Sequence, residues 1–274
     1  MKLSIVSSVF VNFALPDAAR SVCDLGVPGM DIWAGRPHAY RQDYSPAQLR
    51  DIRRLLEDRG VHAVSLMPAF FRYPHSLSNP NPLVRQDTLD YMRACMDNAI
   101  TLGAGILLIV PGFSLHGQAV EDARARLTES IDLVCQAAEG YPIKLGIEPA
   151  NASVTDLIVT ADDAMHIIHA LGHDNLGVVM DTGHMHLNRE RIEDVLALVG
   201  DRLLQFHVND NDGQRQQNAI PGEGTCDFTH FIDVLRARAY NGFLSIELGY
   251  DYTRDPITAL GKSAAYMRRL IETP

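Results

Sequence analysis

Residues 177–207 have the sequence GVVMDTGHMHLNRERIEDVLALVGDRLLQFH, which shows the alternating pattern of the chain most clearly. A short apolar run ends in an aspartate, an amphipathic segment follows, and a second apolar run leads to a histidine. Short apolar runs that alternate with segments of three- to four-residue periodicity are typical of parallel strands joined by helices. The stretch therefore predicts one strand–helix–strand unit, with strands at 177–181 and 203–208 and a helix at 190–199.

The same alternation runs through the whole chain. Further strands are predicted at 3–6, 29–33, 61–67, 105–110, 144–148 and 243–247. Further helices are predicted at 17–25, 45–59, 83–102, 118–138, 160–171, 228–239 and 256–271. Repeated strand–helix pairs of this kind predict an α/β fold, the (β/α)8 TIM barrel, in which eight parallel strands close inside a ring of helices. No linker or low-complexity tract divides the chain, so residues 1–274 are predicted to form a single domain.

An open, doubly wound sheet is the alternative architecture, because it also alternates strands and helices. The nucleotide-binding versions of that fold carry GxGxxG after the first strand or a GxxxxGK[ST] loop. The sequence contains neither element. The barrel is therefore favoured.

The charge and cysteine content exclude several classes of protein. A formal net charge of −10 is unfavourable for nucleic-acid binding, which depends on Lys and Arg neutralising phosphates. The apolar start of the chain is interrupted by Ser7, Ser8 and Asn12, and no segment has the uninterrupted apolar length of a membrane helix. The four scattered cysteines lack the spacing of a zinc site and the density of a disulfide scaffold. We expect a soluble, cytoplasmic protein that binds neither nucleic acid nor membranes.

Acidic or histidine side chains lie at the ends of four successive predicted strands. They are Glu148 in KLGIE, Asp181 in GVVMD, His207 in LLQFH and Glu247 in FLSIE. The carboxyl ends of barrel strands meet at one rim, so these side chains are expected around one point. A single acid there is as often a helix N-cap, but three crowded carboxylates repel one another unless a cation neutralises them. The donor set favours one divalent metal ion, Mn2+ before Mg2+, Co2+ or Zn2+.

Residues predicted to bind the substrate lie in loops that follow strands at the same rim. They are Trp33, Arg36 and His38 after the second strand, His184 after the sixth and Arg215 after the seventh. An aromatic face beside a few hydrogen-bond donors is suited to a small polar ligand such as a sugar. Two further hypotheses concern the surroundings of the site. Phe70, Phe71, Tyr73 and Tyr250 either form cavity walls or pack under loops, and Asp210 or Asp212 orients His207.

Several of these segments resemble one known family. EPAN (148–151), MDTGH (180–184), HVNDNDG (207–213), PGEG (221–224) and IELGY (246–250) are similar to the metal-site segments of the xylose-isomerase-like TIM barrel superfamily of sugar isomerases and epimerases. Within it, IWAGRPHAY (32–40) and IPGEG (220–224) most resemble the fructoselysine and ketose 3-epimerases. The resemblance spans the whole chain.

The resemblance implies a reaction and an assembly. In the epimerases two metal-bound glutamates lie on opposite faces of the substrate, so Glu148 and Glu247 would be the acid and base of a ketose 3-epimerase. A metal-stabilised enediolate of the sugar would be protonated on the opposite face, which inverts the carbon. Relatives of this kind are often dimers or tetramers, so a homodimer or homotetramer is expected.

The resemblance leaves other functions open, and the sequence differs from the epimerase pattern at two places. An aldose–ketose or hydroxypyruvate-type isomerase would use the same two glutamates, and a sugar-acid dehydratase or a non-catalytic sugar-binding protein is less favoured. A nuclease of the endonuclease IV type is disfavoured by the acidic charge and by Met67-Pro68 and Val110-Pro111, which stand where its histidines are expected. Residues 151–154 lack the acid that the epimerases often carry, and Gln216, Gln217 and Asn218 replace an Asp-x-His found in many relatives.

Overall fold

A computed structural model of the protein describes residues 1–70 and 73–273. Eight strands pair in sequence order, each parallel to its neighbours, and β8 pairs with β1 to close the barrel. The strands are β1 (Lys2–Val6), β2 (Gly29–Trp33), β3 (His62–Met67), β4 (Ile106–Ile109), β5 (Lys144–Ile147), β6 (Leu176–Asp181), β7 (Leu203–Val208) and β8 (Phe243–Ile246). The predicted single-domain (β/α)8 barrel is confirmed, with strand bounds that differ by at most one residue at either end.

Helices follow the strands and cover the outside of the barrel. They are α1 (Leu15–Asp24), α2 (Pro46–Glu57), α3 (Pro82–Leu102), α4 (Val120–Ala137), α5 (Ala161–Leu171), α6 (Thr182–Asn188), α7 (Ile192–Val199), α8 (Phe228–Ala237) and α9 (Pro256–Glu272). Short 3-10 segments lie at Ser7–Phe10, Gly200–Arg202 and Tyr250–Tyr252. In the described part of the chain no helix combines the length and the apolar character needed to cross a membrane.

The short α-helix α6 was not among the helices that the sequence pattern predicted. It begins directly after β6, and the Asp181 side chain caps it by accepting a hydrogen bond from the His184 backbone N–H at 2.8 Å. A helix of seven residues is too short to show apolar periodicity. Asp181 is both the last residue of β6 and the N-cap of α6, so the strand and the helix together fix its position.

A buried polar layer lies inside the barrel. Asp31 is 0% exposed and accepts hydrogen bonds from the Ser4 hydroxyl, from the Ser65 hydroxyl at 2.5 Å and from Gln205 Nε2 at 3.0 Å. These side chains come from β1, β2, β3 and β7, which can meet only in the interior. Gln205 also contacts His207 Nε2 at 3.1 Å, so the polar layer joins the barrel core to the strand-end residues.

Candidate metal centre and cavity

The four predicted strand-end residues come together. Asp181 and His207 are paired across β6 and β7, while Glu148 and Glu247 follow the last residues of β5 and β8. One ligand atom from each of the four lies within 4.8 Å of the others. Asp181 and His207 are 0% exposed, Glu148 is 3% exposed, and the Glu247 side chain is 18% exposed. The cluster thus occupies the floor of the barrel mouth, as the strand ends predicted.

The imidazole of His207 faces two of the carboxylates. Its Nδ1 lies 2.7 Å from Glu148 Oε1 and 3.5 Å from Glu247 Oε2. Burial alone would lower the pKa of His207, but the two glutamates raise it to about 10. Burial raises the pKa of Glu148, yet the neighbouring imidazolium outweighs it and holds the pKa below its usual value. The protonated ring of His207 is therefore the one positive charge within a cluster that contains three carboxyl groups.

The pKa values of the other two carboxyl groups are raised instead. Burial, with repulsion from Glu148 and Asp181 added, raises the pKa of Glu247 to about 8. Burial and the charge of Glu148 likewise raise the pKa of Asp181. Protein groups alone do not neutralise this cluster, and a divalent cation in its centre would. The residues present fit such an ion, because three carboxylates and one imidazole are a complete set of hard and borderline ligands.

Neighbouring side chains hold Asp181 in one orientation. Its Oδ2 accepts a hydrogen bond from Asn209 Nδ2 at 2.5 Å, while its Oδ1 accepts the His184 N–H. Gly183 lies against the same amide, so closely that a Cβ added to Gly183 would overlap Asn209 Oδ1. The glycine is therefore needed for a close approach between α6 and the end of β7.

Substituting Gly183 by alanine is expected to displace Asn209 and release Asp181. Overpacking at a buried position costs about 1–3 kcal/mol, so the free energy of unfolding in urea should fall by that amount. The affinity for divalent cations should fall about 10- to 100-fold, as is usual when a ligand loses its supporting partner. Gly261→Ala in α9 is the matched control, because its Cβ would meet only Leu25 Cδ2 at 3.7 Å. Wild-type stability and cation affinity in Gly183→Ala would contradict this account of Asp181.

The two aspartates predicted to orient His207 contact other groups. Asp210 accepts the backbone N–H groups of Gly222 and Gly224 at 2.9 Å and of Cys226 at 3.0 Å, and so holds the PGEG turn in place. Asp212 binds within its own loop, where its carboxylate pairs with a neighbouring arginine. The prediction was wrong, because the partner of His207 Nε2 is Gln205 on the same strand.

A cavity of about 670 Å3 opens above the cluster. Glu148 and Glu247 line it, as do two of the predicted substrate residues, Trp33 and His184. Apolar side chains form much of the remaining wall, namely Met67, Phe70, Leu108, Val110, Val154 and Leu248. Gln216, Gln217 and Asn218 add amide groups, and the exposed Tyr73 and Tyr250 also line the cavity. Phe71, also considered as a wall residue, lies outside the described residues.

The structure places the other three predicted substrate residues away from the cavity lining. His38 is fully buried, bonded to Ser7 Oγ at 3.1 Å and the Phe13 carbonyl at 3.2 Å, and packs edge-on against Trp33. Burial lowers the pKa of His38 to about 4, so its ring is neutral at pH 7. The His38 ring therefore packs against the Trp33 side chain and does not face the cavity.

Both predicted arginines are bound by an aspartate in their own loop. The Arg36 guanidinium pairs with Asp43 at 2.5 Å, and the Arg215 guanidinium pairs with Asp212 at 3.3 Å. Their side chains are 68% and 76% exposed. In this arrangement neither guanidinium is available to a ligand at the floor of the cavity.

Three polar residues around the site were not singled out from the sequence. Gln205 and Asn209 lie two residues before and after His207, and side chains two apart on a strand face the same side. The alternation of side chains along the strand could therefore have identified Gln205 and Asn209 from the sequence. Asn151 in EPAN contacts His184, a pairing between separate loops that no local pattern indicates.

Comparisons with known proteins agree with the barrel fold. A family model described as xylose isomerase-like TIM barrel matches residues 19–270. Fructoselysine 3-epimerase of Escherichia coli O157:H7 is 25% identical over 256 residues, which cover 93% of each chain. The solved structure of 3-keto-D-glucoside 4-epimerase from E. coli has a TM-score of 0.82 at 18% identity, over 98% of this chain and 99% of that one. An IOLI protein with a bound zinc atom has a TM-score of 0.81 at 18% identity, over 99% and 98% of the two chains. The chain belongs to the xylose isomerase-like TIM barrel family.

Proposed function

We propose that this enzyme, a sugar epimerase or isomerase, depends on one divalent metal ion and inverts C3 of a ketose. The observation that carries the proposal is the division within the four-residue cluster. Glu148 and Glu247 line the cavity, whereas Asp181 and His207 are fully buried beneath it. Two carboxylates thus face a ligand while the other two groups complete the metal site.

The residues proposed to hold the ion are Glu148, Asp181, His207 and Glu247. Their three carboxylates favour a hard cation, and we propose Mn2+ before Mg2+, Co2+ or Zn2+. When bound, the cation would polarise the carbonyl and neighbouring hydroxyl of the sugar and so acidify the C–H between them.

The proton is moved by the two glutamates that face the cavity. Glu148 and Glu247 both line the cavity, so each can reach a ligand bound above the cluster. One of the two carboxylates would remove the C3 proton of the ketose, and the other would return a proton to the opposite face of the enediolate. Trp33 would lie against the sugar, and His184 would donate a hydrogen bond to it.

Exchange with solvent tests the proposal. The enzyme is incubated with Mn2+ and a panel of ketoses in deuterated water, and products are analysed by NMR. We expect the C3 epimer to accumulate with deuterium at C3. Deuterium only at C1 would overturn the proposal in favour of an aldose–ketose isomerase, and loss of water from a sugar acid would indicate a dehydratase.

We also propose that the enzyme acts in the cytoplasm as a homodimer or homotetramer. Its four cysteines are free thiols, as is usual in a reducing compartment. Tyr73 and Leu83 are 86% and 77% exposed in the single chain, which leaves large apolar side chains for a second subunit to cover. Light scattering after gel filtration should give two or four times the 30.3 kDa chain mass. A mass of one chain would contradict the assembly.

A further inference from the structure

A short chain of hydrogen-bonded amides lies beside the cavity. At its centre, Asn151 Oδ1 accepts the Ser153 backbone N–H at 2.9 Å and the Ser153 hydroxyl at 2.6 Å. A backbone N–H can only donate, so the atom that faces it must be the amide oxygen. The orientation of the Asn151 side chain is therefore fixed by the backbone of its own loop.

The Asn151 amide nitrogen points to two acceptors. Nδ2 lies 2.9 Å from His184 Nδ1 and also donates to Gln216 Oε1. An amide NH2 group has two protons and no acceptor, so these two contacts use both protons. His184 Nδ1 must then be the acceptor in its contact.

The state of His184 follows from this contact. A neutral imidazole carries one proton, and when Nδ1 accepts, the proton is on Nε2. His184 is only 5% exposed, and it is one of the residues that line the cavity. We infer that Asn151 is a positioning residue, which fixes His184 with its proton on Nε2 so that this nitrogen donates to a substrate oxygen. The role of the substrate in this inference rests on the proposed function.

The amide chain continues across to the loop after β7. Gln216 accepts from Asn151 and donates through Nε2 to Asn218 Oδ1. The two segments that differ from the epimerase pattern, 151–154 and 216–218, thus contact each other through the uncharged amides of Asn151 and Gln216. A carboxylate at position 151 would accept a hydrogen bond from His184 Nδ1 where the Asn151 amide donates one, and would no longer specify the same proton position on His184.

The chemistry of this donor limits what it can recognise. A neutral imidazole N–H donates one hydrogen bond and carries no positive charge. It is suited to a hydroxyl or carbonyl oxygen of a neutral sugar. Val154, three residues after Asn151, adds an apolar side chain to the lining of the cavity.

The test is the position of the proton on His184, observed by NMR in the Mg2+-loaded protein with 15N-labelled histidine. His184 is assigned by comparison with His184→Gln. In the wild type we expect a protonated Nε2 and an unprotonated Nδ1. In Asn151→Asp a carboxylate oxygen faces Nδ1, so the proton should move to Nδ1, and kcat/KM should fall about 10- to 100-fold.

Asn175→Asp is the matched control, because Asn175 bonds the Cys135 carbonyl at the opposite end of the barrel. It adds the same charge and should leave the His184 signals unchanged. If Asn151→Asp does not fold, Asn151→Ala serves, and it should populate both tautomers. A wild-type His184 protonated on Nδ1, or identical His184 signals in the wild type and the Asn151 variant, would overturn the inference. The NMR result does not depend on turnover, so an enzyme that fails to epimerise ketoses can still confirm or refute it.

Discussion

Glu148→Gln and Glu247→Gln are each expected to lower kcat for C3 epimerisation by about 10²- to 10⁴-fold, the range in which a positioned acid or base contributes. Each change keeps the shape of the side chain and one oxygen, but removes the group that takes or returns the proton. Both side chains line the cavity, so each change acts where the sugar binds. The measurement is turnover at saturating ketose and metal.

The control for these two variants is Glu223→Gln, which removes one carboxylate from an exposed position in the PGEG turn. It should leave kcat near the wild-type value. Circular dichroism should show that both active-site variants keep the fold. Near-normal turnover in either Glu148→Gln or Glu247→Gln would refute the assigned acid–base pair.

Removing the metal is expected to abolish turnover, and adding Mn2+ should restore it. Without the ion, the three carboxyl groups are left with only the imidazolium of His207 as counter-charge, and no group remains to polarise the carbonyl. An ion that binds only the folded chain also stabilises it, by about 2.7 kcal/mol at one hundred times its Kd. Thermal unfolding should therefore shift upward with Mn2+ in the wild type and less in Asp181→Ala. Full activity after exhaustive chelation would contradict a metal requirement.

The pH dependence of metal binding has a defined sign. In the metal-free protein the pKa of Glu247 is raised to about 8 and that of His207 to about 10, so both groups hold protons at pH 7. A cation must displace these protons before it can bind. Affinity should therefore weaken by about tenfold per pH unit between about pH 10 and 8, where His207 alone holds a proton, and by about a hundredfold per pH unit below 8, where Glu247 holds one as well. Calorimetry in buffers of different ionisation enthalpy would count those protons, and none released would contradict the cluster as the binding site.

The strand ends were predictable because each apolar run stops where a polar side chain reaches the rim. Glu148 and Glu247 fall one residue past the hydrogen-bonded strands, and Asp181 ends its own. That small offset does not change the outcome, since the carboxyl ends of parallel strands still converge. Both the barrel and the cluster of four strand-end residues could therefore be predicted from the sequence.

The loops were less predictable, because their side chains choose partners over long separations. Arg36 and Arg215 are typical substrate-binding residue types, yet each binds an aspartate of its own loop. His38 has the chemistry of a donor, but burial turns it into a support for Trp33. The contact between Asn151 and Gln216 joins residues 65 positions apart and depends on how two loops fold.

The central claim is that one cation is held by four strand-end residues, with Glu148 and Glu247 on opposite faces of the sugar. A crystal structure with Mn2+ and a bound ketose, with anomalous data collected at the manganese edge, tests it most directly. We predict one anomalous peak within about 2.0–2.6 Å of ligand atoms from Glu148, Asp181, His207 and Glu247. The ketose C3 should lie between the two glutamates. A peak elsewhere, or both glutamates on one face of C3, would contradict the account.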